Sequence, residues 1–306
     1  MIDLNSRTYL ILFLFFTPLI AFNQVNSSYT LKILGVVQDG GLPHLGSDRI
    51  CCEDFEQDRY VTSIMLINNE TNESYLFDAS PDINKQLNFM GKGIKKNLKG
   101  IFLTHAHIGH YTGLMYFGRE ALNSKLMKVY AMPRMKKFLE QNGPWSQLVS
   151  LENISITELN NKSNIVIDSN VTVQPIEVPH RAEFSETVGY KIYGPNKTAL
   201  FIPDIDKWYL WEKSIVDEIE NIDYVLIDAT FYDSKEVNYR DLSEIPHPFV
   251  VESIELFDSM KYEERNKIFF IHLNHTNPLL DKESDQYKFV KEKGYNVAEE
   301  GLNLKL

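Results

Sequence analysis

The stretch Thr104-His105-Ala106-His107-Ile108-Gly109-His110 puts three histidines directly after an apolar segment that predicts a buried strand. Side chains alternate along an extended chain, so His105 and His107 point to the same side where the strand ends. The residues Gly109–Gly118 predict a helix, and His110 near its start can turn back toward the same point. Imidazole nitrogen is the preferred ligand of zinc and of several other divalent metals. The stretch therefore favours a metal site over a set of surface histidines in a polar turn.

Three more side chains that can bind a metal stand at the ends of predicted strands. They are His180, Asp204 and His272, and each follows a run rich in Val, Ile, Phe or Leu. A lone histidine in this position is most often a satisfied polar residue, and a lone aspartate is most often a turn or helix cap. Their shared position, together with the histidine stretch, predicts one centre built from several strands.

The order of these residues resembles the metallo-β-lactamase superfamily, and the likeness covers nearly all of the chain after residue 28. Within that superfamily the chain is most similar to pyrroloquinoline-quinone biosynthesis protein B and proteins like it. The stretches that carry this closer likeness are Gln38–His44, Ser80–Ile83, Asn142–Val149 and Asn274–Pro278. The resemblance implies an α/β fold, the αββα sandwich, with metals at one edge of the two sheets.

The resemblance also implies how the ligands divide between two metals. A first metal takes His105, His107 and His180, a second takes His110 and His272, and Asp204 bridges both. Zinc is the expected metal, with iron or manganese as alternatives. A hydroxide held at this centre is the expected nucleophile, because a bound divalent metal lowers the pKa of water to roughly 7.

A further histidine, His247, lies just before a predicted helix and after a polar loop. In hydrolases of this fold a histidine in this region can give a proton to the leaving group, and the imidazole titrates near neutrality. The resemblance therefore implies that His247 acts beside Asp204 in catalysis. A simple loop histidine at the start of a helix is the alternative.

One position departs from the superfamily pattern. The superfamily usually has an aspartate where this chain has Gly109, and that aspartate is a ligand of the second metal. We therefore expect one tight site and a weaker second site, with Asp204 as the only carboxylate in the centre, unless water or another residue takes the missing place. Pyrroloquinoline-quinone biosynthesis protein B instead keeps an Asp-His pair here and lacks the two leading histidines, so the likeness implies the fold rather than that protein's oxidative chemistry.

The two cysteines of the chain, Cys51 and Cys52, are adjacent, so a bridge between them would be strained. The resemblance implies that they form a candidate structural metal site with His275, and His44 is a further candidate ligand. Relatives tend to have a cysteine where this chain has Ser47, and a structural zinc needs four closed ligands. Two reduced, half-buried thiols are the alternative.

The charge balance bears on the partner. The chain has 31 Lys and Arg against 42 Asp and Glu, which disfavours a surface that binds nucleic-acid phosphates. No linker divides residues 29–306, so we expect one metallo-β-lactamase-like domain. The predicted function is an exported metal-dependent hydrolase that attacks an ester, amide or phosphodiester of a small molecule. The alternatives are a cofactor-biosynthesis protein with iron-dependent oxidative chemistry and a non-catalytic metal-binding protein.

The N-terminal segment predicts export. Arg7 precedes the apolar run Tyr9–Phe22, whose 14 residues are fewer than the roughly 20 that span a bilayer. This arrangement is typical of a signal peptide, here residues 1–28, and implies a periplasmic or secreted protein with no stable membrane insertion after removal of the peptide. An uncleaved N-terminal anchor or a buried hairpin is the alternative.

We predict that the native protein is cleaved between about Ala21 and Ser28, because the short apolar run and its preceding charge match a processed leader. Mass spectrometry of the protein from its own cell should show a new N-terminus in this interval. An intact Met1 end would contradict the prediction.

Overall fold

The computed structural model describes residues 28–48, 59–237, 241 and 245–306. Its strands form two seven-stranded sheets. One core cluster contains side chains from both sheets, and two further clusters lie between each sheet and its own helices. These three apolar layers separate four layers of secondary structure, so the predicted α/β fold, the αββα sandwich, is confirmed.

The first sheet contains the first six strands of the chain and the last one. Its strands are β1 (Tyr29–Gly35), β2 (Ser63–Asn68), β3 (Ser74–Phe77), β4 (Leu98–Phe102), β5 (Met127–Ala131), β6 (Ile154–Glu158) and β14 (Asn303–Lys305). Their order across the sheet is β14-β1-β2-β3-β4-β5-β6. β14, β1, β2 and β3 pair in antiparallel fashion, whereas β3 to β6 are parallel.

The second sheet repeats this plan. Its strands are β7 (Ile165–Val166), β8 (Thr172–Glu177), β9 (Val188–Tyr193), β10 (Thr198–Ile202), β11 (Tyr224–Asp228), β12 (Ile268–Ile271) and β13 (Asn296–Val297). Their order is β13-β12-β11-β10-β9-β8-β7. β7 to β10 are antiparallel and β10 to β13 are parallel. In both sheets, therefore, several strands run in one direction and end at the same edge.

The helices are short. They are α1 (Ile83–Phe89), α2 (Gly91–Lys96), α3 (Ile108–Tyr111), α4 (Pro133–Gln141), α5 (Trp145–Ser150), α6 (Ile215–Glu218), α7 (Val250–Leu256), α8 (Tyr262–Arg265) and α9 (Asp285–Glu292), with 3₁₀ turns at Thr112–Phe117, Trp208–Leu210 and Pro278–Leu280. Across the described ranges, no helix is long and apolar enough to cross a membrane.

The predicted helix Gly109–Gly118 is divided into α3 and a 3₁₀ turn. The carbonyl of His110 accepts a hydrogen bond from the amide of Ala79 at 2.8 Å, and the amide of Gly113 donates to the carbonyl of Ala79 at 2.9 Å. These backbone groups would otherwise continue an α-helix. The loop after β3 therefore ends the helix early and holds His110 in place.

The sequence of Tyr295–Leu304 predicts one edge strand at the end of the chain, and this strand is also divided. Asn296–Val297 pairs with β12 in the second sheet, and Asn303–Lys305 pairs with β1 in the first. Between them Gly301 takes a φ of +85°, which a glycine adopts without steric cost, and its amide donates to Ile33. The end of the chain therefore joins both sheets.

Aromatic rings fill the space between the sheets. Phe102 stacks on Phe77 and on Tyr130, with ring centroids 5.0 and 4.3 Å apart, and meets the edge of Tyr190 from the other sheet at 5.5 Å. It is fully buried. Pairs of this kind stabilise a core beyond the area that they bury.

Phe102→Ala should lower the free energy of unfolding by about 3–5 kcal/mol, because it removes these contacts and leaves a cavity that the sheets cannot close. Urea unfolding followed by circular dichroism measures the change. Phe89→Ala removes the same ring from a position that is 62% exposed, and it should change the value by less than about 1 kcal/mol. Equal effects of the two substitutions would contradict this description of the core.

Candidate metal centre

The six predicted ligands converge at one edge of the sandwich. Each follows a strand closely: His105, His107 and His110 follow β4, with His110 in α3, and single residues follow β8, β10 and β12. These strands run in the same direction within their sheets, so their carboxyl ends lie at one edge. The residues brought together are His105, His107, His110, His180, Asp204 and His272.

The first group contains three imidazoles. His105, His107 and His180 each offer a ring nitrogen, and these atoms lie within 4.8 Å of one another. His105 Nε2 is 2.8 Å from His107 Nδ1, and the three rings meet at steep angles. Nitrogens that point inward from crossed rings suit a cation with tetrahedral ligands, because such a site needs donors from different directions.

The second group contains two imidazoles and two carboxylates. His110 Nε2 lies 2.9 Å from Asp204 Oδ2 and 3.1 Å from Asp39 Oδ1. His272 Nε2 lies 3.2 and 3.6 Å from the same two oxygens. Ligand atoms of these four residues all fall within 4.8 Å of one another.

Asp204 lies between the groups. Its Oδ2 is 3.6 Å from His105 Nε2, and its Oδ1 is 3.7 Å from His180 Nε2. One carboxylate therefore approaches imidazoles of both groups. This is the position that the sequence predicted for a residue that bridges two metals.

The sequence interpretation missed Asp39. It took Asp204 for the only carboxylate of the centre, and this is wrong, because Asp39 brings a second one from the loop after β1. The expected weaker second site rested on the lack of a carboxylate at Gly109. Asp39 supplies a carboxylate to the second group, so that reason no longer holds. The direction of the strands was the signal that could have revealed Asp39. β1 and β4 run the same way in the first sheet, so the loop after β1 lies at the same edge as the histidines that follow β4.

The donor set fits a metal cation. Five buried polar atoms of the two groups make no hydrogen bond of acceptable geometry within the described part of the chain: Asp39 Oδ1, His110 Nε2, His180 Nε2, Asp204 Oδ2 and His272 Nε2. A buried polar atom without a partner destabilises the fold by about 1–3 kcal/mol. Cations that accept lone pairs from these atoms remove that penalty, and imidazole with carboxylate suits zinc, iron and manganese.

The other ring nitrogen of four histidines is held by an outer partner. These contacts are Thr104 Oγ1 to His105 Nδ1 at 2.9 Å, Asp78 Oδ2 to His110 Nδ1 at 2.7 Å, Asp206 Oδ1 to His180 Nδ1 at 3.0 Å and Thr230 Oγ1 to His272 Nδ1 at 3.0 Å. Such partners fix the tautomer and the ring orientation of metal-binding histidines. The centre is therefore preorganised by its own surroundings.

Backbone strain coincides with the same place. Asp78 and His272 take positive φ values of 67° and 63°. Residues other than glycine adopt this region at a cost and hold it where the surrounding structure enforces it, often at functional sites. Asp78 accepts hydrogen bonds from the Thr104 amide and hydroxyl as well, so it fixes the loop that carries the histidine stretch.

The imidazoles of the first group are suited to bind metal. Burial lowers the pKa of His105 well below its usual value, and the neighbouring His110 lowers it further. Burial likewise lowers the pKa of His107. Metal ligands must be deprotonated, so neutral rings are ready to bind. For Asp39, burial raises the pKa, but the close approach of the His110 and His272 rings outweighs burial and lowers the pKa of the carboxyl.

His247 lies against the centre and lines a cavity of about 640 Å³ together with His107, His180 and Asp204. Its Nδ1 is 2.7 Å from Asp228 Oδ2 and 3.5 Å from Asp204 Oδ1. Burial lowers its pKa, but Asp228 outweighs burial and raises the pKa to about 9. His247 can therefore hold a proton at neutral pH and is placed to donate it within the cavity.

The candidate structural site is only partly described. Cys51 and Cys52 lie outside the described residues. The rings of His44 and His275 are stacked, with centroids 4.1 Å apart, and both line the same cavity as the metal centre. The structure therefore brings the two candidate histidines together and leaves the cysteine ligands as a prediction.

A comparison with known protein families identifies the family to which this chain belongs. The family described as Beta-lactamase superfamily domain matches residues 73–273, which is more than half of the 306-residue chain. The chain therefore belongs to this family. The match covers the histidine stretch, Asp204 and His272.

The relatives within the class are named for one pathway. Coenzyme PQQ synthesis protein B of Methylococcus capsulatus is 24% identical over 90% of this chain and 99% of the relative, and that of Gluconobacter oxydans is 25% identical over 90% and 97%. Both the superfamily and the closer likeness predicted from the sequence are confirmed.

Solved structures show the same fold. Zn²⁺-bound PqqB from Methylobacterium extorquens is 21% identical with a TM-score of 0.76, over 90% of this chain and all of that one. A diphosphatase of the PhnP family is 19% identical with a TM-score of 0.63, over 90% and 96%.

Asp206→Ala should weaken metal binding to the first group by roughly 10–100-fold, because His180 loses the acceptor that orients its ring. A zinc titration against a chromophoric chelator measures the change. Asp258→Ala, an exposed aspartate between α7 and α8, is the matched control and should leave binding unchanged. Unaltered zinc affinity in the Asp206 variant would show that this hydrogen bond does not support the centre.

Proposed function

We propose that this chain is a metal-dependent enzyme that oxidises a small molecule in a cofactor-biosynthesis step like that of its PqqB relatives. The observation that carries the proposal is the donor set of the second group. Two imidazoles with the carboxylates of Asp39 and Asp204 include the two-histidine, one-carboxylate set that suits non-haem iron. The names of the relatives, which match 90% of this chain, support the cofactor-biosynthesis part of the proposal.

The electron balance of the proposed step is simple. The substrate loses two electrons and two protons. Dioxygen is the oxidant: it accepts the two electrons and two protons and becomes hydrogen peroxide. The metals, when bound, would supply a place where dioxygen and substrate meet. His105, His107 and His180 would hold one metal, and Asp39, His110 and His272 the other, with Asp204 between them.

The chain's own residues manage the protons and the water. His247, held by Asp228, can give a proton to reduced dioxygen inside the cavity. Phe184, Ile108 and Phe231 line the same cavity with apolar surface, which favours an organic substrate over bulk water. A small-molecule substrate is the proposed partner, and nucleic acid is not, given the charge balance.

Hydrolysis is the second candidate, because the first group is complete and His247 is placed as an acid. Three imidazoles around one cation and a nearby proton donor are what the attack of water on an ester, amide or phosphodiester requires. In this reaction His247 would give its proton to the leaving alkoxide or amine. The sequence favoured this function, and the names of the relatives favour a cofactor-biosynthesis step.

Metal analysis separates the two candidates. Protein purified without added metal should contain iron, and nitric oxide added to the reduced protein should give the electron paramagnetic resonance signal of an open iron site. Zinc alone, with cleavage of bis(p-nitrophenyl) phosphate or γ-butyrolactone that is lost in His107→Ala, would overturn oxidation and support hydrolysis. No bound metal would contradict both.

Asp204→Asn should lose one of two bound metals and most activity while the fold survives. The change keeps the shape of the side chain but removes the charge that lies between the groups, and neutral imidazoles cannot offset two dications. Native mass spectrometry counts the metals, and circular dichroism checks the fold. Retention of two metals and full turnover would remove Asp204 from the centre.

The location of the protein stays a prediction. We propose export with removal of residues 1–28, which leaves a mature domain of residues 29–306 in the periplasm or outside the cell.

A further inference from the structure

We propose that Asp39 is the second-metal ligand that replaces the superfamily's aspartate at position 109, and that Gly109 is required because Asp39 occupies its side-chain space. This inference rests on the two-metal centre of the proposed function. It assigns an exchange of ligand between two loops that lie 70 positions apart in the chain.

The steric relation between the two positions is direct. A Cβ atom added at Gly109 would lie 2.2 Å from Asp39 Oδ1 and 2.8 Å from its Cγ and Cα atoms. Real Cβ atoms do not approach other heavy atoms so closely. Because the Asp39 backbone is part of the clash, rotation of its side chain cannot relieve it. Asp39 in its present place and any side chain at position 109 therefore exclude each other.

The carboxylate of Asp39 points at the second group. Its Oδ1 lies 3.1 Å from His110 Nε2 and 3.6 Å from His272 Nε2, and this buried oxygen makes no hydrogen bond of acceptable geometry to the described residues. An anionic oxygen in that position can bind a cation together with both rings. Asp39 thus supplies the charge that Gly109 lacks.

Backbone hydrogen bonds join the loop of Asp39 to the loop that carries His272. The amide of Gln38 donates to Leu273 O at 2.9 Å, and the amide of Leu273 donates to Val36 O at 2.8 Å. Leu273 directly follows His272, so the loops after β1 and β12 are joined at the ligands. Next to Asp39, Gly41 takes a φ of +70° and its amide donates to Gln38 O, which turns the loop tightly.

This placement gives the second metal a different structural role. With an aspartate at position 109, two ligands, that aspartate and His110, would both come from the start of α3, which follows β4 of the first sheet. With Asp39, the ligands come from the loop after β1, from α3 and from the loop after β12. A metal held by these residues would therefore connect the loop after β1 to both sheets.

Zinc binding in four proteins tests the exchange. They are the wild type, Asp39→Asn, Gly109→Ala and the double variant Asp39→Gly/Gly109→Asp. Native mass spectrometry counts the bound zinc, and competition with a chromophoric chelator gives the affinity of each step. Neither readout depends on activity.

The wild type should bind two zinc ions. Asp39→Asn should lose the second, or bind it with an affinity reduced by more than the roughly 10–100-fold that loss of an outer partner causes. Gly109→Ala removes no donor atom, yet it should have the same effect because its methyl group displaces Asp39. The double variant should regain the second zinc, since the aspartate returns to the helix start and the space is free.

Two substitutions serve as controls. Asp48→Asn removes a charge from an exposed position in the same loop. Gly93→Ala adds a methyl group at a helical glycine with no heavy atom within 4 Å of the new Cβ. Both should bind two zinc ions as the wild type does.

The outcomes distinguish this inference from the function on which it rests. Two tight zinc steps in Asp39→Asn or in Gly109→Ala would overturn the exchange and leave the two-metal centre intact. Fewer than two zinc ions in the wild type would overturn the centre itself. Because Asp39→Asn is isosteric and Gly109→Ala adds one carbon, the result does not depend on whether the double variant folds.

Discussion

The structure depends on carboxylates and imidazoles that are buried together without enough hydrogen bonds among themselves. Asp204 is 2% exposed, and four imidazoles of the two groups lie within 3.7 Å of its oxygens. A site of this kind destabilises the fold when nothing fills it, since buried polar atoms lose water and gain no partner. Cations reverse that balance. Metal binding is therefore coupled to the stability of this edge of the sandwich.

The two sheets make this burial feasible. Strands β4, β10 and β12 end at one edge, and the edge-on contact of Phe102 with Tyr190 joins the two sheets in the interior. The loops that leave the strands are then fixed from outside by hydrogen bonds to Asp78, Asp206 and Thr230. The apolar interior thus fixes the separation of the loops, and the outer polar residues fix the direction of each ring.

The sequence predicted the fold and six residues of the centre because their signal is local. A histidine directly after an apolar run shows both that a strand ends and that a ligand stands there, and this holds for the stretch beginning at Thr104 and for His272. Asp39 was not predicted, because its place in the centre becomes clear only when the directions of β1 and β4 are known. The division of the C-terminal segment Tyr295–Leu304 between two sheets was not predicted either, because a strand pattern does not show which sheet a strand joins. The cysteine pair lies outside the described residues, so its prediction stands as made.

A crystal structure with anomalous scattering measured on both sides of the metal absorption edge tests the central claim most directly. The two-metal centre predicts two anomalous peaks, one among His105, His107 and His180 and one among Asp39, His110 and His272, with Asp204 between them. The energy of the edge identifies iron or zinc at each peak. A single peak, or a second peak from which Asp39 is turned away, would contradict the centre described here.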